Sequence, residues 1–420
     1  MRVRILSIGD ELLDGSCVDT NAPWLASRLA ERGMSVESIT AVPDIVERVA
    51  SSLVESASQS SLVIASGGLG PTPDDLSREG LARAIGEELV VDDAALSWIR
   101  SKLEGWGFPF TSHQAGMARR PGSASWFTND KGTAPPLHAK IGECDVWLLP
   151  GPPAELKSCF EEHVLPGLPS NEPGERSWVE RVRCHGLLEA EIVERLGELL
   201  DRDNEVLVGT RMSRGIFIAT VHAASREQGE PVVASIEERL HPHVLGRGDV
   251  TMSSSVGGLL LEQGVTLATA ESCTGGMVGA CIVDTEGSSR WYRGGVVCYT
   301  NELKQSLLNV PRSLFEPDAP GAVSVEVASA MASGVRTTTG ADIGLSITGI
   351  AGPDGGTQQK PVGTVWISIA RGEDVTSRCY RFPGDRTAIR RRALSHALQL
   401  LRLVLLGEVE SASLPWESTG

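Results

Sequence analysis

Residues 271–276 read Glu-Ser-Cys-Thr-Gly-Gly, and they separate two apolar segments of different pattern. Residues 265–270 before them have the composition of a buried strand, and residues 277–284 after them that of a helix. A glycine-rich turn from strand to helix gathers free backbone N–H groups at the positive end of a helix dipole, which favours anion binding. The alternative is a tight turn that packs against a sheet. The stretch therefore predicts an α/β domain with a candidate anion site.

The residues that follow this turn extend the pattern. A strand is predicted at 296–299, followed by Thr-Asn-Glu-Leu-Lys at 300–304, and a helix at 325–338. Residues 346–356 form a second glycine-rich segment, and Arg386 stands at the start of a helix. Two glycine-rich loops after strands, a serine and a lysine in reach of each other, and this arginine together suggest a phosphate-bearing substrate and an acyl-type reaction.

The proton acceptor for such a reaction is predicted to be a lysine. A serine hydroxyl must lose its proton, and the domain has no convincing Ser/His/Asp set, since His396 stands alone within a helix. Lys304 fits, because burial beside a hydroxyl would lower the pKa of its amine. The alternative is a surface lysine on a helix that begins at Asn301.

The size and charge of the whole chain limit its partners. Its 420 residues exceed one ordinary core, so two or three domains are expected. A net charge of −16 argues against a surface for nucleic acid or for an anionic membrane, and a small-molecule partner is expected. The one dense basic run, residues 390–392, lies in a helical pattern and is interpreted as a mostly solvated helix face.

The location and the state of the cysteines follow from similar arguments. Met1 leads directly into a strand-like run, and no stretch approaches about 18 uninterrupted apolar residues, so a soluble, cytoplasmic protein is expected. The 8 cysteines contain no C-x-x-C pair. Reduced and mostly buried thiols are predicted, with neither a zinc site nor a disulfide framework.

Four segments are predicted along the chain. Alternating strands and helices over residues 1–168 indicate a doubly wound parallel sheet covered on both faces, where ligands bind at the carboxyl ends of strands. A Pro/Gly-rich stretch at 166–175 marks the first boundary, and a small α+β connector of structural role follows at 176–246. A second soft joint at 246–255 leads into the α/β domain, 253–407. The polar residues 408–420 are expected to form a frayed tail.

The N-terminal domain carries its own glycine-rich loop, residues 66–75, which reads Ser-Gly-Gly-Leu-Gly-Pro-Thr-Pro-Asp-Asp. Its backbone N–H groups can wrap a phosphate, and adjacent carboxylates can hold a hard cation between phosphate oxygens. Asp75 can instead act as the cap of the next helix. Two more loops, residues 131–136 and 149–155, are predicted near the same edge of the sheet.

Residues 265–406 resemble the C-terminal domain of the competence/damage-inducible CinA family, which also occurs alone as the PncC-type nicotinamide mononucleotide (NMN) deamidase. The matching stretches are ESCTGG, GSSRWYRGGVVCYTNELK, GAVS, SITGIAGPDGG, KPVGTVW and GDR, in one order. The resemblance implies hydrolysis of the nicotinamide amide of NMN to nicotinate mononucleotide and ammonia, in pyridine nucleotide salvage and without a cofactor. It also implies a homodimer.

The same resemblance implies a role for each matching residue. Ser289 would be the nucleophile and Lys304 its base, although the division of labour between Ser289 and Ser272 stays open. Ser272, Tyr299 and Thr348 would position the amide and the oxyanion. The implied substrate-binding residues are Thr274, Gly275, Gly276, Gly349 and Arg386. Of these, Gly275, Gly276 and Arg386 would hold the 5′-phosphate.

The N-terminal domain resembles the molybdopterin-binding-like domain of the same family. This implies an ADP-ribose pyrophosphatase that uses a divalent metal (Mg, Mn or Co), with or without potassium, and yields AMP and ribose phosphate. The related molybdenum-cofactor proteins bind molybdopterin instead. The metal ligands would be Asp10, Asp74 and Asp75, and the substrate would be bound by Gly67, Gly68, Gly70 and Thr133.

Two positions depart from the family pattern in this domain. Ser66 stands where threonine is usual, which keeps the hydroxyl. Pro136 stands where glycine is usual, which removes a backbone donor and with it a possible phosphate contact.

Two other classes of function compete with this enzyme. One is a nucleotide- or molybdopterin-binding protein in which one or both sites are inactive. The other is a DNA-uptake or repair partner, which an acidic chain without a basic stripe does not favour.

Overall fold

The computed structural model describes residues 2–169, 178–213 and 215–418, and the contacts divide the chain into two units, Met1–Trp178 and Val179–Gly420. Residues 170–175 of the predicted first boundary lie outside the described residues. Each unit is built on a six-stranded sheet, and the second also contains a four-stranded sheet.

Short apolar runs form the strands of the first unit. In chain order, these are β1 (Arg2–Ile8), β2 (Ser35–Val42), β3 (Leu62–Ser66), β4 (Leu89–Val91), β5 (Arg119–Pro121), β6 (Ser125–Trp126), β7 (Leu137–Ile141) and β8 (Cys144–Leu149). The helices are α1 (Asp10–Leu13), α2 (Asn21–Ala30), α3 (Val46–Gln59), α4 (Ser77–Ile85), α5 (Asp93–Gly105), α6 (Ser112–Gly116) and α7 (Pro153–Cys159). The sheet order is β2-β1-β3-β8-β7-β6, with β4 and β5 as a separate pair.

Both faces of this sheet are covered, as predicted. Successive residues of β1 belong to different apolar clusters: Leu6 packs with Leu53 of α3, and Ile5 packs with Leu25 of α2. Strands β2, β1, β3 and β8 are parallel, whereas β7 and β6 run antiparallel to their neighbours and complete a mixed sheet. The carboxyl ends of the parallel strands therefore meet at one edge.

The second unit contains two sheets. Its strands are β9 (Trp178–Cys184), β10 (Leu207–Ser213), β11 (Ile216–Ala223), β12 (Val244–Arg247), β13 (Leu267–Glu271), β14 (Tyr292–Val297), β15 (Ile343–Gly349), β16 (Thr364–Arg371), β17 (Asp374–Arg381) and β18 (Glu417–Ser418). Its helices are α8 (Glu189–Leu196), α9 (Arg226–Leu240), α10 (Met252–Gln263), α11 (Met277–Val283), α12 (Asn301–Leu308), α13 (Val325–Thr339) and α14 (Arg386–Leu406). The orders are β10-β11-β9-β12 and β14-β13-β15-β16-β17-β18.

The six-stranded sheet of the second unit is half parallel and half antiparallel. Strands β14, β13 and β15 are parallel, and β16, β17 and β18 follow as an antiparallel meander. One apolar cluster includes residues of α10, α11 and α14, and another includes residues of α12 and α13. The turn at 272–276 lies at the carboxyl end of β13, between these two layers.

The predicted soft joint at 246–255 is a fixed segment instead. The Thr251 side chain caps α10, and the Ser255 hydroxyl donates to the carbonyl of Leu245 at 2.7 Å. Arg402 of α14 donates to the carbonyls of Pro242 and Val244. These contacts join the four-stranded sheet to the last helix, so the predicted connector shares one unit with the domain that follows it.

The expectation of a frayed C-terminal tail is wrong for the described residues up to Ser418. Leu414 is 3% exposed, and the ring of Trp416 packs edge-on against Phe382. Strand β18 pairs with β17, and Arg378 binds the Glu417 carboxylate at 2.9 Å. Apolar residues spaced among polar ones thus cover the outer strand of the sheet.

Two composition-based expectations concern cysteines and membranes. All eight cysteines are free, and six are buried, which confirms the predicted buried thiols. Among the described residues, no helix is both long enough and apolar enough to cross a membrane.

Candidate active site

A serine and a lysine are hydrogen-bonded at the carboxyl edge of the second six-stranded sheet. Ser272 directly follows β13, and Lys304 lies in the first turn of α12, which follows β14. The Lys304 Nζ donates to the Ser272 Oγ at 3.1 Å and to the carbonyl of Cys298 at 2.9 Å. Lys304 is 1% exposed, so its interpretation as a surface lysine is wrong.

Burial sets the proton affinity of Lys304. Removal from water lowers the pKa of its amine, against the opposing effects of the nearby Cys298, Cys273 and Glu302 groups. A neutral amine beside a hydroxyl can accept the hydroxyl proton. The pair therefore has the components of a nucleophile and its base.

Local sequence explains why Lys304 points inward. The Thr300 side chain caps α12 by accepting from the Leu303 N–H at 3.3 Å. Lys304 and Leu308 are separated by four residues, share one helix face, and are the buried residues of α12. The buried leucine thus places the lysine toward the sheet.

Among the described residues, the serine that Lys304 contacts is Ser272 and not the predicted Ser289. Ser289 lies on an exposed 3₁₀ turn before β14, whereas Lys304 follows β14. The residue after this turn, Trp291, accepts a hydrogen bond from Leu267, the first residue of β13. Ser272 lies beyond the other end of β13, roughly 16 Å away for five residues of strand. The two serines therefore lie at opposite edges of a parallel pair of strands.

The N–H groups of Ser272, Gly275 and Gly276 in the turn at 272–276 are bound within the chain. The carboxylate of Glu271, which is 2% exposed, accepts from the N–H groups of Gly276, Val278 and Gly279 at 2.8–3.1 Å. The Gly275 N–H donates to the Ser272 carbonyl at 3.1 Å. The backbone donors of Gly275 and Gly276, which were predicted to bind the phosphate, thus have partners within the chain. Thr274 is fully buried, and its hydroxyl has no partner in the described part of the chain.

Arg386 is placed as predicted at the start of α14. One terminal nitrogen donates to the carbonyl of Gly352 at 2.8 Å, and the other donates to the Tyr299 hydroxyl at 3.1 Å. Arg386 and Tyr299 are both exposed residues, and Tyr299 is 57% exposed. A guanidinium held at this position is accessible to an anionic group.

Thr348 and Gly349 have structural contacts. Thr348 neighbours the serine, because the Ser272 N–H donates to the carbonyl of Ile347 at 3.0 Å. The Thr348 hydroxyl itself donates to the carbonyl of Ala322 at 2.7 Å. A Cβ on Gly349 would lie 2.7 Å from the Val365 side chain, so glycine is needed there for close packing of β15 on β16.

Two charged residues of this site were not assigned any role from sequence, Glu271 and Arg390. Arg390 donates to the carbonyls of Cys273 and Thr274, so it is not part of a solvated helix face. The available signal was its spacing, since Arg390 lies one helical turn after Arg386.

In the first unit, a cleft of about 530 Å³ lies at the carboxyl ends of β1, β3 and β8. Its lining includes the candidates Gly67, Gly68, Gly70, Asp74, Asp75 and Thr133. At its side, the Asp19 carboxylate caps α2 by accepting from the N–H groups of Asn21 and Ala22. The structure thus brings the loops predicted to share this edge into one cleft.

The glycine-rich loop at 67–70 turns its carbonyls inward. Ser77 donates to the carbonyls of Gly67 and Gly68, and the buried Arg78 donates to those of Leu69 and Gly70 at 2.7 Å. Within the residues that the structure covers, the N–H groups of Gly68, Leu69 and Gly70 make no hydrogen bond. A loop with its acceptors bound and its donors free is suited to an anion.

The three predicted metal ligands do not converge. Asp10 and Asp44 exchange backbone-to-carboxylate hydrogen bonds at 2.9 and 3.2 Å. Asp75 accepts from the Thr72 N–H at 2.8 Å rather than capping α4, and Asp74 is exposed. Over residues 2–169, 178–213 and 215–418, no group of three or more His, Cys, Asp or Glu side chains is arranged to hold a metal ion. The arrangement does not fit the expected metal site.

The cleft nevertheless is strongly acidic. Burial raises the pKa of the Asp44 carboxyl, and the negative charges of Asp10, Glu11 and Asp74 add to this effect. Close carboxylates disfavour one another's charged forms.

Thr133 lies on a loop that Asn129 organises. The fully buried Asn129 accepts from the N–H groups of Lys131 and Gly132 and donates to Glu155 at 2.7 Å. Pro136 is buried at the base of this loop, where its carbonyl accepts from Phe127, and it is not among the residues that line the cleft.

The fold and the sites define a two-part protein, with a molybdopterin-binding-like domain and an α/β domain that carries a buried serine–lysine pair. Residues 4–170 match the family described as "Probable molybdopterin binding domain", and residues 249–405 match the "CinA C-terminal domain". The chain belongs to the CinA family.

Relatives match nearly the whole chain. A CinA-like protein of Geobacter sulfurreducens is 39% identical over 413 residues, which cover 97% of this chain and 100% of that protein. A CinA-like protein of Dictyoglomus turgidum is 38% identical over 412 residues, with the same two coverages. Among solved structures, a CinA protein of Thermoplasma acidophilum is 33% identical, covers 39% of this chain and 96% of its own, and has a TM-score of 0.37.

Proposed function

We propose that the C-terminal domain hydrolyses the nicotinamide amide of NMN, with Ser272 as the nucleophile and Lys304 as its base. The observation that carries this proposal is the buried hydrogen bond between the Lys304 amine and the Ser272 hydroxyl. The family resemblance implied a Ser–Lys pair with Ser289 as the nucleophile, and it left the division of labour between Ser289 and Ser272 open. The geometry favours Ser272, because Ser289 lies at the opposite edge of the sheet.

The reaction needs two steps. The Ser272 Oγ bonds to the amide carbon while its proton passes to the Lys304 Nζ, and the amine returns this proton to the departing ammonia. A water molecule then attacks the acyl-serine, loses its proton to Lys304, and releases nicotinate mononucleotide as Ser272 regains its hydrogen. Arg386 is proposed to bind the 5′-phosphate, because its guanidinium is exposed beside Tyr299.

The test is ammonia release from NMN by the intact chain and by two matched variants, Ser272→Ala and Ser289→Ala. We expect Ser272→Ala to abolish turnover and Ser289→Ala to retain it. The two variants are matched because each makes the same change, one at each edge of the sheet. Loss of turnover in Ser289→Ala with retention in Ser272→Ala would restore the original assignment. If the folded wild-type protein releases no ammonia, the deamidase function is wrong and a binding role is favoured.

For the N-terminal domain, we propose that the cleft binds the diphosphate of ADP-ribose on the free N–H groups of Gly68, Leu69 and Gly70. These free donors support the proposal, because Ser77 and Arg78 already bind the carbonyls of the same loop and so hold its N–H groups toward the cleft. Among the described residues, the carboxylates of the cleft are not arranged as a metal site.

Chromatography of ADP-ribose after incubation with the protein, with and without Mg²⁺, Mn²⁺ or Co²⁺, separates a pyrophosphatase from a binding domain. AMP formation would indicate hydrolysis, whereas calorimetric binding without AMP would indicate a binding domain. Absence of both would contradict the proposal.

A further inference from the structure

The turn that carries Ser272 is held on two sides by side chains, the Glu271 carboxyl group and the Arg390 guanidinium group. On its amide side, Glu271 accepts from the N–H groups of Gly276, Val278 and Gly279. On its carbonyl side, the Arg390 Nε donates to Cys273 at 3.0 Å and a terminal nitrogen donates to Thr274 at 2.7 Å.

We propose that Glu271 and Arg390 are positioning residues that hold the Ser272 hydroxyl against Lys304. This inference rests on the proposed Ser272/Lys304 pair. It assigns a function to a buried carboxylate and a helix arginine that touch the turn rather than the reacting atoms.

A short turn can move by rotation of its peptide planes. Glycine gives a turn wide backbone freedom, and hydrogen bonds to the N–H and C=O groups of the turn restrict the rotation of its peptide planes. Hydrogen bonds to ionised groups are shorter and stronger than neutral ones, and a planar guanidinium can bind two successive carbonyls at once. Residues 273 and 274 are held through their carbonyls and residue 276 through its N–H, which restricts the movement of the turn that follows the Ser272 hydroxyl.

The strand and the helix supply the two holding groups independently. Glu271 is the last residue of β13, whereas Arg390 lies on α14, 117 residues from Cys273 in the chain. Arg386 lies one turn earlier on α14 and binds the loop at Gly352 and the Tyr299 hydroxyl. One face of this helix therefore contacts the turn of Ser272 through Arg390 and carries the proposed phosphate-binding residue, Arg386.

The variants Arg390→Met and Arg390→Lys test the proposal, and Arg391→Met is the matched control because Arg391 is the exposed next residue of the same helix. Two rates are followed against pH. The first is NMN hydrolysis, separated into kcat and KM. The second is the reaction of Ser272 with a fluorophosphonate, in which the Ser272 oxygen bonds to phosphorus and fluoride leaves, measured by mass spectrometry of the full chain.

We expect Arg390→Met to lower kcat by about 10- to 100-fold with little change in KM, because small displacements of reacting groups are costly. The rise of both rates with pH should move to higher pH, since a loosened turn admits water to Lys304 and removes part of its desolvation. The kcat of Arg390→Lys should lie between those of the wild type and Arg390→Met, because a single ammonium group replaces a guanidinium that donates to two carbonyls. Arg391→Met should match the wild type.

Equal rates and equal pH profiles for Arg390→Met and Arg391→Met would overturn the proposal. A lower rate with an unshifted pH profile and reduced thermal stability would also overturn it, since that pattern indicates a structural role only. If Arg390→Met does not fold, Glu271→Gln gives the same test. The side-chain NH₂ group of glutamine would replace one carboxylate oxygen and face the backbone N–H groups that this oxygen binds.

Failure of the proposed substrate can be distinguished from failure of the positioning role. Labelling of Ser272 that depends on Arg390, without hydrolysis of NMN, would support the positioning role and contradict the deamidase function. A folded wild-type chain in which Ser272 is not labelled at any pH would contradict both.

Discussion

The Lys304 Nζ lies 3.1 Å from the Ser272 Oγ although the two residues are 32 positions apart in the chain. The pair is enclosed, with the lysine 1% and the serine 8% exposed. Two adjacent parallel strands bring them together, because Ser272 follows β13 and the segment that leads to Lys304 follows β14.

Replacement of the proposed base should remove activity without unfolding the protein. We expect Lys304→Met to lower kcat for NMN by about 10²–10⁴-fold, the usual contribution of a general base. The wild-type rate should rise with pH and level off below the ordinary lysine value of 10.5, because burial lowers the pKa of this amine. Initial rates across pH measure both effects. A wild-type rate that still rises above 10.5 would contradict the assignment.

Arg386→Lys should weaken substrate binding more than it slows the chemical step. The guanidinium is proposed to bind the phosphate, and hydrogen bonds to charged groups contribute about 1.5–3 kcal/mol, which corresponds to roughly 10- to 100-fold in KM. Nicotinamide riboside, which lacks the phosphate, is the control substrate and should be insensitive to the change. Equal effects on both substrates would show that Arg386 acts on the turn or loop instead.

Three buried histidines should make the second unit acid-sensitive. Burial lowers the pKa of His396 to about 3 and that of His243 to about 4, and it also lowers that of His185. Since the unfolded value is 6.5, the unfolded state binds more protons below that pH. Stability is therefore fully present above 6.5 and is lost as the pH falls toward the folded values. For His396 alone, the loss should be about 2 kcal/mol by about pH 5.

The aromatic surroundings of His396 offer a variant for this test. Its ring packs against Tyr380, Phe382 and Trp416, so His396→Phe keeps an aromatic ring there. Urea unfolding followed near neutral pH and near pH 5 should show a smaller acid-induced loss in this variant. An unchanged loss would place the acid sensitivity elsewhere.

The first glycine of the N-terminal loop should not tolerate a side chain. Gly67 has a φ of +106°, and a Cβ there would lie 2.1 Å from the carbonyl oxygen of Ile8. Gly86 is the matched control, because its φ is +83° but its Cβ would meet nothing within 4 Å. Gly86→Ala should cost about 1–2 kcal/mol, the strain of a left-handed residue. Gly67→Ala should cost more and should weaken ADP-ribose binding, as calorimetry and thermal unfolding can show; equal costs would contradict the contact.

Much of the fold could be predicted from sequence because its central strands and helices are marked locally. The helix predicted at 325–338 corresponds to α13 (Val325–Thr339), and the apolar residues of β1 and β3 alternate between two buried faces. Strand β17 was not predicted, because its first residues are polar and exposed. Strand β14 begins earlier than predicted, since Gly294 and Gly295 resemble a loop, yet a Cβ on Gly295 would lie 2.3 Å from the Thr269 hydroxyl of the adjacent strand.

The site was predicted in its residues more than in its pairings. Ser272, Lys304 and Arg386 lie where strand ends and a helix start were predicted. Within the chain, Lys304 contacts Ser272 rather than Ser289, and the N–H groups of Gly275 and Gly276 are bound internally rather than free for a phosphate. Both depended on which groups lie opposite one another across the sheet, and a local motif does not contain that information.

By itself, the sequence determined the α/β class and the glycine-rich turns, and it indicated the candidate side chains of the site, because each depends on local periodicity and backbone freedom. The tertiary structure alone decided which serine meets the lysine and that Glu271 occupies the amides of its own turn. The physical reason is that strand order and burial set these contacts: parallel pairing of β13 with β14 brings their carboxyl ends together, and enclosure then lowers the pKa of Lys304.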